Sequence, residues 1–521
     1  MLRALRDTAR LAHAARVLGR HDALIPREAA ERVPPALRFM RALVGRGKVV
    51  DAELPPGERL ARALESLGPA YIKLGQILAT RPDIIGDETA RSLAALQDRL
   101  PPFATEIARA EVESALGVPL STAFSAFDEP IAAASVAQVH RAVTAGEPGR
   151  DVAVKILRPR VEVEFARDLS AFAFAARCAE RFFAEGRRLR LVALVETLRA
   201  SVAMELDLRM EAAGASELAE RTRSDEEFRV PSVDWERTGA RVLTTEWVEG
   251  TSLRSAEELK AAGHDPKQIA LLVVRQFLTQ ALRYGFFHAD MHQGNLFVDA
   301  ESRLVCVDFG IMGRLDEPMR RFMAETLGGF LARDYQRVAN VHYEAGFVPR
   351  THPAPLFAQA LRAIGEPVFG RRASRVSMAK LLQQLFDTTR RFDMELQPQL
   401  VLLQKTMVVV EGVARALDPE LDIWEASRPV IEEWMIERIG PEARLRDAAE
   451  GVNALGRLAR DFPHVLRNAE VVSTMLADGG LKLHPDSVRQ IAQAQVARTR
   501  HVRVALWIAA GALAILAIGV L

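Results

Sequence analysis

The stretch of sequence that decides the fold is DMHQGN, which runs from Asp290 to Asn295. It carries a carboxylate and, at its far end, a side-chain amide. A carboxylate can orient or deprotonate the hydroxyl group of an acceptor, and an amide oxygen can hold a magnesium ion. The spacing therefore indicates Asp290 as a catalytic residue and Asn295 as a metal ligand.

Two short apolar runs follow this stretch, LFV at 296–298 and LVCV at 304–307. They predict a β-hairpin whose second strand leads into DFG, residues 308–310. A carboxylate at a strand end, here Asp308, can chelate magnesium that bridges two phosphates. A DFG tripeptide recurs by chance, but the aspartate–asparagine loop, a hairpin and DFG in this order are typical of kinases. We therefore expect ATP and Mg²⁺ as cofactors, with Asn295 and Asp308 as the metal ligands.

A strand that would present a lysine to the nucleotide phosphates lies upstream. VAVK, residues 152–155, closely matches the strand of kinases that ends in the phosphate-binding lysine, which indicates Lys155. A predicted helix farther along carries three acids that could pair with this lysine: Glu205, Asp207 and Glu211. Asp207 and Glu211 share a helical face, and Glu205 lies well around the helix from both. Periodicity leaves open which acid pairs with the lysine.

The segment before this strand departs from the kinase pattern. Kinases place a glycine-rich loop there, because glycine lets backbone amides approach phosphates closely. In this chain the same register is rich in alanine, and each methyl group restricts the backbone near the phosphates. We expect this loop to bind nucleotide in an altered pose. Its residues are Ala132, Ala133, Ala134, Ser135, Val136 and Ala137.

A helix that begins at a proline carries the sequence KLGQ, residues 73–76. Lys73 and Gln76 lie three residues apart and share a face, while Gly75 between them permits close approach of another backbone. These residues alone leave a surface helix and a regulatory site equally open.

Both ends of the chain predict contact with a membrane. Arg3, Arg6 and Arg10 share one face of an N-terminal helix, which indicates a helix lying on anionic lipid, a surface helix packed on the body or, more weakly, a transit peptide. Residues 504–521 are apolar without interruption and follow three arginines. They predict a C-terminal transmembrane helix, with the body on the cytoplasmic side of a bacterial inner membrane. Whether that helix supports a homodimer stays open.

Composition narrows the remaining classes of function. A formal net charge of +1 gives no reason to expect nucleic acid as a partner. Two cysteines are too few for a disulfide framework and fit a reducing compartment. Neither cysteine has the spacing of a metal site.

Together these motifs resemble the UbiB/AarF family of atypical kinases, which is linked to ubiquinone biosynthesis. The resemblance runs from KLGQ through the alanine-rich loop, VAVK and the acids to DFG and the apolar tail. It implies that Glu211 pairs with Lys155, and that Glu205 and Asp207 meet the KLGQ helix over the active site. Lys73, Gly75, Gln76 and these two acids would then be regulatory.

The resemblance also implies a hinge in which Glu246 and Val248 present backbone groups to adenine. Quinone precursors, quinone-biosynthesis enzymes and anionic lipid such as cardiolipin are the partners that it implies. The corresponding function is a membrane-anchored atypical kinase or ATPase that supports ubiquinone biosynthesis.

The predicted fold class is α+β: a bilobal protein-kinase-like fold with an N-terminal helical KxGQ extension and a C-terminal transmembrane helix. The expected domains are basic amphipathic helices at 1–50, the KxGQ extension at 51–117, an N-lobe at 118–250, a C-lobe at 251–440, a helical extension at 441–503 and the membrane span at 504–521.

Three alternatives compete with this interpretation. The first is a pseudokinase scaffold that binds nucleotide and gathers biosynthetic enzymes; the alanine-rich loop favours it, and the complete set of metal ligands opposes it. The second is an antibiotic- or choline-kinase-like enzyme, which the KLGQ helix and the apolar tail oppose. The third is a hydroxylase, for which the sequence carries no flavin or iron signature.

Overall fold

The computed structural model of the chain describes residues 2–23, 53–79, 85–94, 101–182, 189–369 and 397–439, with single positions at 50, 96, 187 and between 384 and 394. The chain divides into two compact units after Met435. The first unit contains the elements that position the site, and of the second only residues 436–439 are described.

Helices make up most of the described chain. They are α1 (Leu2–Arg20), α2 (Pro56–Leu67), α3 (Pro69–Ala79), α4 (Asp87–Ala94), α5 (Thr105–Leu116), α6 (Leu120–Ala123), α7 (Val161–Phe182), α8 (Leu191–Glu205), α9 (Leu208–Arg221), α10 (Ala256–Ala261), α11 (Pro266–Leu278), α12 (Glu317–Leu331), α13 (Tyr335–Glu344), α14 (Ala354–Phe369), α15 (Pro398–Leu417) and α16 (Ile423–Ile439). A short π-helix, Thr279–Tyr284, continues α11.

The strands form three sheets. They are β1 (Phe124–Ala133), β2 (Ala137–Thr144), β3 (Asp151–Leu157), β4 (Phe228–Arg229), β5 (Val242–Glu246), β6 (Thr251–Ser252), β7 (Phe286–His288), β8 (Leu296–Val298), β9 (Leu304–Cys306) and β10 (Met312–Arg314). The first sheet has the order β1-β2-β3-β5, the second β4-β9-β8-β6, and β10 pairs with β7.

The first sheet places its functional side chain by simple alternation. Val152, Val154 and Ile156 on β3 are buried and pack in one hydrophobic cluster with Ala108 and Val112 of α5. Successive side chains of a strand point to opposite faces of the sheet. The side chain between these apolar residues, the lysine of VAVK, therefore projects from the opposite face.

A layer of helices packs beside this sheet. Residues of α1, α2, α3, α4, α7, α8 and α9 share one hydrophobic cluster. The ring of Tyr71 on α3 meets that of Phe172 on α7 edge to face, with centroids 4.8 Å apart. Within α1, Arg10 forms an ion pair with Asp168 of α7. The N-terminal helix therefore packs on the body, and Arg10 is not part of a free basic face.

The second lobe holds the catalytic hairpin. The predicted strands are β8 and β9, which pair antiparallel with Leu296 opposite Cys306. β9 lies against α11, and α11 in turn packs along α15. The loop that follows β7 and the residues that follow β9 are thus held at neighbouring strand ends. The kinase-like α+β part of the predicted fold is confirmed.

One part of the predicted fold class is corrected. In the part of the chain that the structure describes, no helix is long and apolar enough to cross a membrane. The longest of these helices, α7, has 22 residues but carries Glu162, Glu164 and Arg181 among them. We therefore remove the transmembrane helix from the fold class. The predicted span, 504–521, and the predicted extension at 441–503 lie outside the described residues.

A glycine lets α3 pack closely in its layer. A Cβ atom at Gly75 would stand 2.5 Å from a methyl carbon of Leu96 and 2.8 Å from one of Leu64. Both leucines are buried. The close neighbours of Gly75 are thus leucine side chains, whereas the sequence predicted a second backbone.

We expect Gly75→Ala to lower the free energy of unfolding by about 1–3 kcal/mol, because an added methyl group would overpack this layer. Gly412→Ala is the matched control: Gly412 is exposed within α15 and has no atom near the position of a Cβ. That substitution should raise the free energy of unfolding by up to about 1 kcal/mol. Urea unfolding checks both, and equal effects of the two substitutions would contradict the packing argument.

Candidate active site

The centre of the site is the ammonium group of Lys155, which lies between two acids. Its Nζ donates to both carboxylate oxygens of Glu211, at 2.8 and 2.9 Å. The same Nζ lies 2.9 Å from Oδ1 of Asp308. Glu211 is in the first turn of α9, and Asp308 follows β9. Of the three acids that periodicity left open, the structure places Glu211 against the lysine.

Burial and charge shift the pKa values of the three groups in different directions. Burial would lower the pKa of Lys155, but the carboxylates of Asp308 and Glu211 outweigh it and the pKa is raised. Burial raises the pKa of Glu211 to about 7, although the Lys155 ammonium acts against it. Burial acts to raise the pKa of Asp308, yet the same ammonium holds that pKa below its usual range. At neutral pH, Lys155 is therefore charged and Asp308 ionised.

Asp308 is the more accessible of the two acids. Of its side-chain surface 49% is exposed, whereas Glu211 is buried. Asp308 also has a φ of 63°, in the left-handed region that costs energy for a residue with a side chain. An accessible, ionised carboxylate can serve as a metal ligand, and here it also forms an ion pair with Lys155.

The catalytic loop brings Asp290 and Asn295 to the same end of the hairpin. The Nδ2 group of Asn295 donates to the carbonyl oxygen of Asp290 at 3.1 Å. That bond occupies the amide nitrogen and leaves Oδ1 as an acceptor or ligand. The backbone carbonyl of Asn295 accepts from the amide of Val307, next to Asp308. A backbone hydrogen bond thus joins the catalytic loop to the DFG segment.

His288 supports this loop, and the sequence reasoning missed it. It is fully buried, and its Nδ1 accepts from the amide of Asp290 at 3.1 Å, so the ring hydrogen is on Nε2, which donates to the carbonyl of Val307 at 3.2 Å. Burial lowers the pKa of His288, so the ring is neutral. The signal was present in the sequence, because kinase catalytic loops carry a histidine two residues before the aspartate.

The alanine-rich loop is a tight turn between β1 and β2. Ala132 and Ala133 end β1, Ala137 begins β2, and the amide of Ala134 donates to the carbonyl of Ala137 at 2.8 Å. Arg158, just after β3, fixes this turn twice. Its backbone amide donates to Val136 O at 2.8 Å, and its Nε donates to Ala134 O at 3.0 Å.

The same arginine joins the turn to the residues just before α5. Arg158 Nη2 donates to Pro101 O at 2.8 Å, and its guanidinium lies over the ring of Phe103. Gln138 on β2 makes two further bonds, accepting from the amide of Phe103 at 2.9 Å and donating to its carbonyl at 3.2 Å. Residues 101–103, named the strap here, therefore hold the alanine turn in place.

The turn contains a group that fits an oxygen-rich ligand. Ser135 is fully buried, and its hydroxyl has no hydrogen-bond partner among the described residues. A buried hydroxyl without a partner is costly, and a phosphate oxygen would satisfy it. Together with the free Oδ1 of Asn295 and the open carboxylate of Asp308, this residue fits Mg·ATP.

The described residues contain no cluster of three or more His, Cys, Asp or Glu side chains that could hold a metal ion by themselves. Magnesium is commonly bound by one or two protein oxygens together with substrate phosphates. Asn295 and Asp308 would hold it in that way, and the ion would supply charge neutralisation at the phosphates.

The predicted hinge is only partly available to adenine. The amide of Trp247 donates to Asp151 O at 3.1 Å, and the carboxylate of Glu246 binds Arg229 and the amide of Ser232. Val248, by contrast, makes no hydrogen bond within the described part of the chain. Its backbone is the part of the hinge that remains free to contact a base.

The KLGQ helix meets one of the two acids expected to face it. Lys73 Nζ lies 2.7 Å from Oε2 of Glu205, with 13% and 17% of the two side chains exposed. Asp207 instead caps α9 and forms an ion pair with Arg209 at 2.7 Å. Gln76 is half-buried on α3, and the structure does not bring it to Asp207.

We expect Lys73→Met and Glu205→Met each to lower the free energy of unfolding, by up to about 3 kcal/mol, because each removes one member of a largely buried ion pair. The double variant should be more stable than either single variant, since neither charge then remains. Thermal and urea unfolding of the three proteins measures this coupling. Additive losses in the double variant would show that the ion pair does not hold α3 to α8.

Comparison with known proteins gives the family. A family model described as ABC1 atypical kinase-like domain matches residues 95–342, and one described as UbiB helical domain matches residues 361–422. The chain is 40% identical over 422 residues to Probable protein kinase UbiB of Marinobacter nauticus, a match that covers 80% of this chain and 77% of that protein. The solved complex structure of Rv3197 and erythromycin from Mycobacterium tuberculosis aligns with a TM-score of 0.46 at 23% identity, over 71% of this chain and 93% of the other. On the basis of the Marinobacter nauticus protein and both family models, the chain belongs to the UbiB family of ABC1 atypical kinase-like proteins.

Proposed function

We propose that the chain is a Mg·ATP-dependent atypical kinase or ATPase that supports ubiquinone biosynthesis. The observation that carries the proposal is the contact of Lys155 with both Glu211 and Asp308. A scaffold needs no charged lysine beside an accessible carboxylate. Phosphoryl transfer needs both, one for the phosphates and one for the metal. The antibiotic- or choline-kinase-like alternative is set aside, because the chain belongs to the UbiB family.

Each residue has a role that follows from its position. Lys155 binds the phosphates, and Glu211 keeps the ammonium group aimed at the cleft. Asp308 and Asn295 would hold the metal through their side-chain oxygens. Asp290, whose carboxylate is about one-third exposed at 32%, orients the acceptor or takes its proton. Bound magnesium supplies charge neutralisation at the phosphates. Water and a small hydroxylated molecule both fit as acceptors.

The alanine turn is the part of the site that departs from an ordinary kinase. The Arg158 bonds fix its backbone, and the methyl groups occupy space that glycine would leave open to phosphates. A turn of this kind should hold the phosphates farther from the strand than a glycine-rich loop does. The expected result is slow turnover with retained nucleotide binding.

We expect Lys155→Met to reduce phosphate release from Mg·ATP by about 100-fold or more, because it removes a preorganised cation from the phosphates. Asp308→Asn should abolish the dependence of release on magnesium. Lys260→Met is the matched control, since Lys260 is an exposed lysine on α10 and should leave turnover unchanged. Phosphate release by the full chain and ATP affinity by calorimetry provide the readouts.

Two results would decide against the enzyme. Tight nucleotide binding by the full chain without phosphate release or transfer would support the scaffold instead. Normal quinone levels in cells that carry only the Asp308→Asn variant would show that magnesium-dependent chemistry is dispensable.

We also propose that the protein works at a surface of anionic lipid. Arg6, Arg16 and Arg20 are exposed on α1 and share one side of that helix, which supports an electrostatic contact. Reversing these three charges to Glu should weaken binding to cardiolipin-containing vesicles by at least about tenfold, since each basic residue adds roughly 1 kcal/mol. Neutral phosphatidylcholine vesicles are the control. Unchanged sedimentation with cardiolipin vesicles would contradict this location.

A further inference from the structure

A hydroxyl group from the second lobe reaches the backbone of the catalytic loop. Thr406 lies on α15, within the segment that matches the UbiB helical domain, and its side chain is fully buried. Its Oγ1 lies 3.1 Å from the carbonyl oxygen of Ala289 and 3.0 Å from that of Leu402. Ala289 immediately precedes Asp290 and is also buried.

The peptide group between Ala289 and Asp290 is therefore bonded at both ends. Its carbonyl accepts from Thr406, and its amide donates to Nδ1 of His288. The amide of Ala289 in turn donates to Ile311 O at 3.0 Å, just beyond DFG. A peptide group that is bonded at both ends cannot rotate freely, and its orientation sets the direction in which the Asp290 side chain leaves the backbone.

His288 is itself fixed from the π-helix. Its amide donates to Oε1 of Gln280 at 3.1 Å, and Gln280 is fully buried. His288, which accepts from the amide of Asp290, is thus held by the π-helix that continues α11. The carbonyl of Ala289, on the other side of the same peptide group, is held by Thr406 of α15.

We propose that Thr406 is a positioning residue for Asp290, through which α15 controls the alignment of the catalytic carboxylate. The inference rests on the proposed function, because Asp290 must act on an acceptor for its alignment to affect turnover. It goes beyond that function by placing part of the reaction's control in the helical domain.

The alternative is that the hydroxyl only bonds back to its own helix. Threonine in helices often does this, donating to the carbonyl four residues before it. Thr222 provides the comparison within the same chain. It is buried, and its Oγ1 donates to Leu218 O at 2.8 Å, with no contact to the catalytic loop. A purely structural role predicts that Thr406 and Thr222 respond alike to substitution.

The experiment compares Thr406→Val, Thr406→Ser and Thr222→Val in the full chain. Valine keeps the shape and removes the hydroxyl, so the buried carbonyl of Ala289 loses its partner. We expect Thr406→Val to lower kcat for phosphate release about tenfold, while KM for ATP changes less than about twofold, since Lys155 and the hinge are untouched. Thr406→Ser should restore most of the turnover. Thr222→Val should leave kcat unchanged.

A second readout does not depend on turnover. Hydrogen exchange at the amide of Asp290 should be at least about tenfold faster in Thr406→Val than in the parent chain, and unchanged in Thr222→Val. Thr406→Ala gives the same test if the valine variant folds poorly. Equal kcat in Thr406→Val and the parent, equal losses in both valine variants, or a serine variant as slow as the valine one would each overturn the inference.

Failure of the proposed function would look different. A parent chain that neither releases nor transfers phosphate would contradict the enzyme, and the exchange of the Asp290 amide would still decide the role of Thr406. A faster amide in Thr406→Val would then support positioning of the loop, and an unchanged amide would overturn it.

Discussion

The site depends on keeping one ammonium group charged in the interior of the first lobe. Removing the charge of Lys155 from water is costly unless acids surround it. The chain supplies Glu211 from a helix and Asp308 from beyond a hairpin, and these two acids and Lys155 lie far apart in sequence. The alternation of side chains along β3 directs the lysine to one face of the sheet. The first turn of α9 positions Glu211, and the end of β9 positions Asp308. The contacts that join the two lobes are therefore the same ones that would prepare the proposed phosphate site.

Local motifs made much of this predictable. The DMHQGN loop, the hairpin and DFG carry their chemistry in consecutive residues, so spacing alone located Asp290, Asn295 and Asp308 in one region. VAVK located the lysine strand in the same way. Periodicity could not choose among the three acids, because Glu211 is selected by how α9 docks against β3. The sequence also did not predict that the alanine-rich segment is a turn between β1 and β2, since alanine favours neither a strand nor a turn.

The remaining contacts could not be read from the sequence for a physical reason. Arg158 joins the alanine turn to the strap, and Thr406 reaches Ala289 across a long stretch of chain. Neither contact has a local pattern, because each depends on the path of helices in three dimensions. Asp207 was expected to meet the KLGQ helix, and in the structure it caps α9 instead. The reason is local: an aspartate directly before a helix is well suited to cap it, and α9 begins directly after Asp207. The transmembrane helix was inferred from hydropathy alone and is not part of the described fold.

The bonds of Arg158 have a thermodynamic consequence. One side chain is shared by the strap and by the turn that would contact phosphate, so a shift of one would be passed to the other. If the turn binds nucleotide as proposed, a molecule that displaces the strap would change the affinity of the turn for nucleotide. Linkage would require the reverse effect to have the same size: nucleotide would change the affinity for that molecule by an equal factor. Binding at the strap would then be coupled, reciprocally, to the nucleotide state of the protein.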